Sequence, residues 1–469
     1  MSDKMTGDPS VFQDSFQMIV KQNIEDFEME KDEAVADALE QLKAQGVDTR
    51  FIVTDERAAS VPAQLSELSA LAAEAELSEP QLARLEELLE AVRQFCAAGL
   101  PERVLTGRRG AYPALRACLR AGRPEAAALR ALAALQDGQP DLFAADDCAL
   151  LLRLLDARPA ETLPWATAVT LRHEENRQAL AEAGLLARLA ARLADPAARR
   201  DQLPALLTLL RQMTLDDDVR VPYGRAHQHA CQLVTEHAAL DTLLALLKGA
   251  AEDAALAAEV LHAATKLCVR QEFCEQFAES GGVETMLDVM RANPDKVSLV
   301  GRSFFLIRTL AGSDKVKGHI MKAGAAETIV TTLDTLKTKT SVSEAAFAAI
   351  GALTLRSETN AAALAQAGAV PVMVSAMELH PTQPKTQKLA CMAIRNMASR
   401  SPELRPAFRE HGAEKLINAA LQSHGPVLDA EARAALRDLD CKVTLKEEWT
   451  GHGGALTTGL IKVPEQPSA

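Results

Sequence analysis

Apolar residues in this chain come in short runs of helical period, separated by small and polar breakers. Near the start Phe12, Phe16, Ile19, Val20, Ile24 and Phe27 recur every three or four positions, and a second run covers Ala34 to Leu42. That spacing predicts one or two amphipathic helices. Farther on, one phrase returns: two small or charged residues, a glycine, then an apolar run. It reads Arg-Arg-Gly110-Ala-Tyr-Pro-Ala-Leu, Glu-Ala-Gly184-Leu-Leu-Ala-Arg-Leu and Glu-Ser-Gly281-Gly282-Val-Glu-Thr-Met. It returns as Lys-Ala-Gly324-Ala-Ala-Glu-Thr-Ile, Gln-Ala-Gly368-Ala-Val-Pro-Val-Met and Glu-His-Gly412-Ala-Glu-Lys-Leu-Ile. Gly282 to Gly324 is 42 residues; Gly324 to Gly368 and Gly368 to Gly412 are 44 each. A copy without the glycine, Glu236-His237-Ala238-Ala239-Leu240-Asp241, lies 44 before Gly282. A period in the low forties marks stacked helical repeats.

Each unit resolves into three helices. A short one precedes the glycine, as in Asn360-Ala-Ala-Ala-Leu-Ala-Gln-Ala. The glycine permits a sharp turn that a Cβ would crowd. A second apolar helix follows (Ala369 to Met377), the breaker His380-Pro381-Thr382-Gln383-Pro384 ends it, and a longer third helix (Lys388 to Ala398) closes the unit. No unit buries its own apolar face, so neighbours must stack on one continuous core. The array is expected over 81–445, behind an N-terminal helical segment at 1–46, a cap or a separate binding element, whose first ten residues are expected to be disordered. Residues 47–80 lose periodicity and gain Ser, Glu and Ala, which reads as a linker; residues 446–469 carry Gly and Pro and read as a flexible tail, with Gly451-His-Gly-Gly lacking the Gly-Lys-Ser/Thr of a phosphate loop. The uncharged window Thr359 to Met377 is long enough to span a membrane. It contains Asn360, Gln366, Gly368 and Pro371, and the repeat breaks it into two helices.

The three-helix unit with its glycine hinge resembles the armadillo family. Asn23-Ile-Glu-Asp-Phe27, Gly138-Gln-Pro-Asp-Leu142, Met213-Thr-Leu-Asp-Asp-Asp-Val-Arg-Val-Pro222, Ala434-Ala-Leu-Arg-Asp-Leu439 and Glu448-Trp-Thr-Gly451 extend the likeness over most of the chain. The resemblance implies an all-α, right-handed superhelical solenoid whose third helices line a concave peptide-binding groove, with Asn residues on successive third helices holding the peptide backbone. Aligned on this sequence, that column is Gln212, Lys266, Thr309, Ala352 and Asn396, and only Asn396 matches. The Trp partners of importin-type grooves are missing too: the two Trp are Trp165 and Trp449. The preceding column is Arg211, Thr265, Arg308, Gly351 and Arg395, so the two columns carry four cations and no acid. Arg suits carboxylate and phosphate recognition through its planar fork. Arg211, Gln212, Lys266, Arg308, Thr309, Arg395 and Asn396 are therefore the candidate groove, expected to take an extended acidic or phosphorylated segment of a partner protein. The competing expectation pairs these cations with acids on adjacent helices. A nuclear transport adaptor is the alternative function.

Composition narrows the picture further. Hydrophobic residues make up 48% of 469, aromatics only 3%, so the core must be built from Leu, Ala, Val and Ile, as helix-on-helix packing prefers. The net charge of −13, from 51 basic and 64 acidic residues, opposes nucleic acid and anionic membrane as partners. Eight scattered cysteines without a Cys-x-x-Cys are expected as free thiols in a reducing compartment. No signal peptide is expected from the first residues, so the chain is read as intracellular, cytoplasmic or nuclear. No Gly-x-Ser-x-Gly, His-Glu-x-x-His, calcium loop or kinase signature occurs, and neither catalysis nor a cofactor is expected.

One stretch departs from the repeat. Gln212 to Ala238 spans 26 residues where Asn396 to Gly412 spans 16, so about ten are inserted. The insertion holds Asp216-Asp217-Asp218 and the His227-Gln-His229 pair. Three readings compete: a zinc site, an exposed tract for histidine methylation, and a polar surface loop.

Overall fold

The computed structural model describes residues 9–195 and 200–443. Among them helices recur and no strand forms. The chain divides into two compact units, 1–246 and 247–469.

The first unit opens with α1 (Pro9–Phe27) and α2 (Lys31–Ala44), followed by α3 (Val61–Ala73) and α4 (Glu79–Ala98). Then come α5 (Leu100–Arg108), α6 (Ala111–Arg120) and α7 (Glu125–Gln136). In the next repeat two 3₁₀ turns, Pro140–Leu142 and Ala145–Asp147, stand in for the first helix before α8 (Cys148–Ala157) and α9 (Pro159–Thr170). A full triplet, α10 (Glu174–Glu182), α11 (Leu185–Ala194) and α12 (Leu203–Met213), is followed by α13 (Ala226–Thr235) and α14 (Ala239–Gly249), in which the division falls. The second unit begins with a third helix, α15 (Ala254–Leu267), and continues with α16 (Gln271–Glu279), α17 (Gly282–Ala292) and α18 (Val297–Leu310). It goes on through α19 (Asp314–Lys322), α20 (Ala325–Leu336), α21 (Thr340–Thr354), α22 (Glu358–Gln366), α23 (Ala369–Glu378) and α24 (Pro384–Ala398). It ends in α25 (Arg405–Glu410) and the long α26 (Ala413–Asp438), which is interrupted at His424, two residues before Pro426.

The predicted hinge is a backbone fact. Gly110, Gly184, Gly281, Gly324, Gly368 and Gly412 all take φ between 79° and 97°, and each caps the second helix of its repeat. That region is left-handed, where a Cβ meets the carbonyl oxygen. The phrase Gly281-Gly282 needs a correction: Gly281 is the hinge and Gly282 the first residue of α17. A Cβ on Gly282 would sit 2.5 Å from the Phe277 ring, so its glycine serves close packing of α16 on α17. The degenerate copy keeps the conformation without the residue, because Ala238 lies at φ 50°.

Short-range bonds repeat as well. Asn176 and Asn360 each donate Nδ2 to the carbonyl seven residues earlier, Val169 at 2.8 Å and Leu353 at 2.9 Å, tying each first helix to the third helix before it. His173, Ser313 and Ser357 cap first helices, each accepting the N–H three residues on. The third helices stack in order, α4 on α7, α7 on α9 and α9 on α12 in the first unit, α15 through α18, α21 and α24 to α26 in the second. Their buried sides are Leu, Ala, Val and Ile, with Trp165 edge-on to Phe143 at 5.9 Å.

The expected linker at 47–80 is folded. Leu65, Leu68 and Leu71 of α3 are buried and pack on α4 and α6, and Gln13 clamps the backbone of Val53 from both sides at 2.8 Å. Its helix is short, and neighbours rather than its own periodicity supply the burial that stabilises it. The window at 359–377 is two helices bent by 79°, and among the described residues no single helix is long and apolar enough to cross a membrane. The expected tail and most of the first ten residues lie outside the described residues.

Candidate partner-binding surface

In the first unit the exposed edges of the third helices form an open cleft of about 640 Å³. Small side chains make its floor: Ala133 and Ala134 on α7, Thr167 and Ala168 on α9, Ala205 on α12. Pro164 stands on its wall inside α9, where it brings no N–H for the helical bond to the residue 160 carbonyl. Arg103 closes one end, bridging Asp137 at 2.6 Å and donating to its carbonyl at 2.8 Å. Short floor residues allow a guest backbone to come close, which long side chains would prevent. None of these positions was legible as a site. The available signal was small residues at exposed third-helix positions, and it looks like ordinary helix composition.

The candidate columns divide into buried, paired and exposed residues. Arg211 reaches Thr208 Oγ1 at 2.9 Å on the cleft wall. Gln212 does not face solvent: it is buried and hydrogen-bonded to the Thr170 hydroxyl at 2.8 Å, bridging α12 to α9. In the second unit Arg308 is exposed and Lys266 half-buried on successive third helices, and neither forms an ion pair or hydrogen bond with a described residue. Thr309 turns its hydroxyl to the Phe305 carbonyl at 3.0 Å. Arg395 has an acid beside it, Asp438 at 3.6 Å, as the competing expectation held. Asn396 donates to the Gly351 carbonyl at 2.9 Å, so the one residue matching the Asn column serves packing of α24 on α21. Exposed Phe305 and Met392 add apolar surface to this face. Trp165 is in the core, its Nε1 donating to Gln136, and Trp449 lies outside the described residues.

The insertion sits where its length placed it, at 214–225, but it is stapled down. The fully buried Arg177 donates Nε to Thr170 O at 2.8 Å and Nη1 to Leu215 O at 2.6 Å, and pairs with Asp217. Asp218 accepts from the Glu174 N–H at 2.9 Å and binds Arg220, which holds its carboxyl far below the usual range. Buried Glu174 accepts the Arg225 N–H at 2.6 Å. Val219 and Tyr223 point outward, almost fully exposed. The expected His pair on a loop is corrected: both residues lie on α13. Two positions apart on a helix means different faces. His227 is exposed with Nε2 3.5 Å from Cys231 Sγ. His229 is buried with Nδ1 2.9 Å from the Met213 carbonyl, and burial pushes its pKa down. Two of the three Asp are engaged by arginines, and no three His, Cys, Asp or Glu side chains converge among the described residues. All eight cysteines are free thiols; burial raises Cys391 to about 12.

A stack of glycine-hinged helical triplets with an open third-helix face defines an armadillo-repeat protein. The fold agrees with a crystal structure of an engineered protein, which matches with a TM-score of 0.66 at 18% identity over 92% of this chain and all of that one. At the level of sequence, residues 64–458 match the ARMC6 family profile and residues 10–69 the armadillo repeat-containing protein 6 N-terminal domain. The chain is 35% identical over 462 residues to the armadillo repeat-containing protein 6 homolog of Drosophila melanogaster, covering 94% of this chain and 97% of the fly protein. It is 32% identical to the human armadillo repeat-containing protein 6, covering 95% and 94%. The chain belongs to the armadillo repeat-containing protein 6 family.

Proposed function

We propose that this protein is a non-enzymatic interaction scaffold that seats an extended segment of a partner protein against its third helices. The cleft floored by Ala133, Ala134, Thr167, Ala168 and Ala205 carries this reading. It is open and floored by small side chains, which suits a guest main chain laid against the helices. In the second unit, taken by itself, Lys266 and Arg308, without acid partners among the described residues, favour an acidic or phosphorylated segment. Arg395, shared with Asp438, contributes less. The nuclear-adaptor alternative rests on an Asn column, and its one matching member is spent on Gly351. Histidine methylation, if it occurs in the folded chain, is a property of His227, since His229 is enclosed.

The test compares partners recovered by quantitative proximity labelling with wild type, Ala134→Arg and Arg308→Glu, each checked for native helicity. Partners held by the first unit's cleft should drop with Ala134→Arg, and acidic partners held by the second unit's third helices with Arg308→Glu. Equal recovery by all three chains removes the groove from the function.

A further inference from the structure

We propose that a cavity between the first helices of successive repeats, α19 and α22, is a binding site for a phosphomonoester. This cavity is separate from the third-helix surface and does not depend on its reading. It has a volume of about 590 Å³ and is lined by Lys317, Gly318, Lys322, Arg356 and Thr359, with Asp314 at its side.

The charge is what singles it out. Lys317 is held in the wall, its side chain 8% exposed, with Nζ 2.8 Å from Asp314 Oδ1 and 3.2 Å from the Leu355 carbonyl. That pairing uses the one acid of the lining. Lys322 and Arg356 are exposed and form no ion pair or hydrogen bond with a described residue. Three cations against one carboxylate therefore face one cavity in a chain of net charge −13. The preceding junction is different: between α16 and α19, Lys315 is neutralised by Glu275 at 3.2 Å and Glu279 at 2.6 Å. The cationic lining is thus not shared by the junction before it.

The space matches the charge. A Cβ built on Gly318 meets nothing within 4 Å, so the middle of α19 opens into the cavity where another residue type would fill it. A forked guanidinium, two ammonium groups and the Thr359 hydroxyl offer donors on several sides of a compact anion. A phosphomonoester near neutral pH carries about −1.5 to −2 charges and three acceptor oxygens, against one charge on a carboxylate. The volume lies within the range of small-ligand pockets and exceeds the phosphate group, leaving room for the organic part. The same headgroup is presented by a free small organic phosphate and by a phosphorylated side chain of a partner.

Calorimetric titration of the whole chain at fixed ionic strength tests this, with O-phosphoserine, adenosine monophosphate, and a short phosphoserine peptide beside its unphosphorylated form. Saturable binding of at least one phosphorylated probe is expected, and none of the unphosphorylated peptide. The Lys322→Glu/Arg356→Glu double variant should weaken it by about tenfold or more. Gly318→Leu, which puts a side chain into the cavity and keeps every charge, should do the same. Arg308→Glu, on the third-helix face, should leave the binding of O-phosphoserine and adenosine monophosphate unchanged, which separates this site from the groove. A phosphopeptide binding tighter than both small probes identifies a partner's modified side chain; the reverse order identifies a free metabolite. Absence of saturable binding by every probe at millimolar concentration overturns the proposal. So does binding that both cavity variants retain at full strength.

Discussion

Ala238 occupies the hinge position that glycine fills in six other copies, and Ala238→Gly should stabilise the protein. Its φ of 50° puts it in the left-handed region, which costs an L-residue about 1–2 kcal/mol. Glycine removes that cost but adds freedom to the unfolded chain, worth about 0.4–1 kcal/mol in the other direction. The methyl group is exposed, so its loss forfeits little packing, and the bond from the Thr242 N–H to the residue 238 carbonyl at 3.1 Å is kept. The net gain is about 0.5–1 kcal/mol. Gly368→Ala is the mirror experiment: its φ is 93°, and a new Cβ would meet only Val330 Cγ1, at 3.9 Å, an ordinary contact. It should cost about the same 0.5–1 kcal/mol or somewhat more, with no clash against a neighbouring helix. For units of this size 1 kcal/mol moves a thermal midpoint by roughly 2–4 °C. Differential scanning calorimetry should therefore show Ala238→Gly raising the transition and Gly368→Ala lowering it. Because long arrays depart from two-state behaviour, hydrogen exchange of α14 and α23 amides should locate each change. A lowered midpoint for Ala238→Gly, or an unmoved one for Gly368→Ala, refutes the account of the hinge as a backbone requirement.

Other substitutions probe the remaining claims. Arg177→Met leaves Asp217 and the carbonyls of Thr170 and Leu215 without their buried partner and should cost about 3–5 kcal/mol by thermal or denaturant unfolding; a loss below about 1 kcal/mol would show the insertion is not stapled through it. Gly282→Ala drives a methyl group into the Phe277 ring and should lower stability by about 1–3 kcal/mol, with Gly282→Ala/Phe277→Leu recovering part of it. His229 has its folded pKa depressed by burial, so its contribution is present above the unfolded value and is lost as pH falls below that value toward the folded one. Unfolding measured from pH 7.5 down to 5 should show that slope flattened in His229→Gln, and an unchanged slope contradicts the burial argument. In the native chain diethyl pyrocarbonate should modify His227 readily and His229 only on unfolding, read by peptide mass spectrometry.

Much of this architecture was legible before any coordinates. Local rules act within a few residues: a glycine that must turn left-handed, apolar spacing of three and four, breakers between runs. Those rules marked Gly110, Gly184, Gly324, Gly368 and Gly412 as hinges, and they located the insertion after α12 by length alone. They misread 47–80, because α3 takes its stability from α4 and α6 and not from its own pattern.

The site was less legible, and for a different reason. Aligning columns ranked Gln212, Arg395 and Asn396 with Arg308, though side-chain type says nothing of what stands opposite. Only packing showed Thr170 against Gln212, Asp438 against Arg395 and the Gly351 carbonyl against Asn396. Likewise His227 and His229 are neighbours in sequence, while helix rotation sends one to solvent and the other to the Met213 carbonyl. The repeat, its hinge and its helical core follow from short-range backbone preferences and periodic burial. Tertiary structure alone decided which cations stay unpaired and where a cleft or cavity opens, because neutralisation and empty space are relations between residues some forty positions apart.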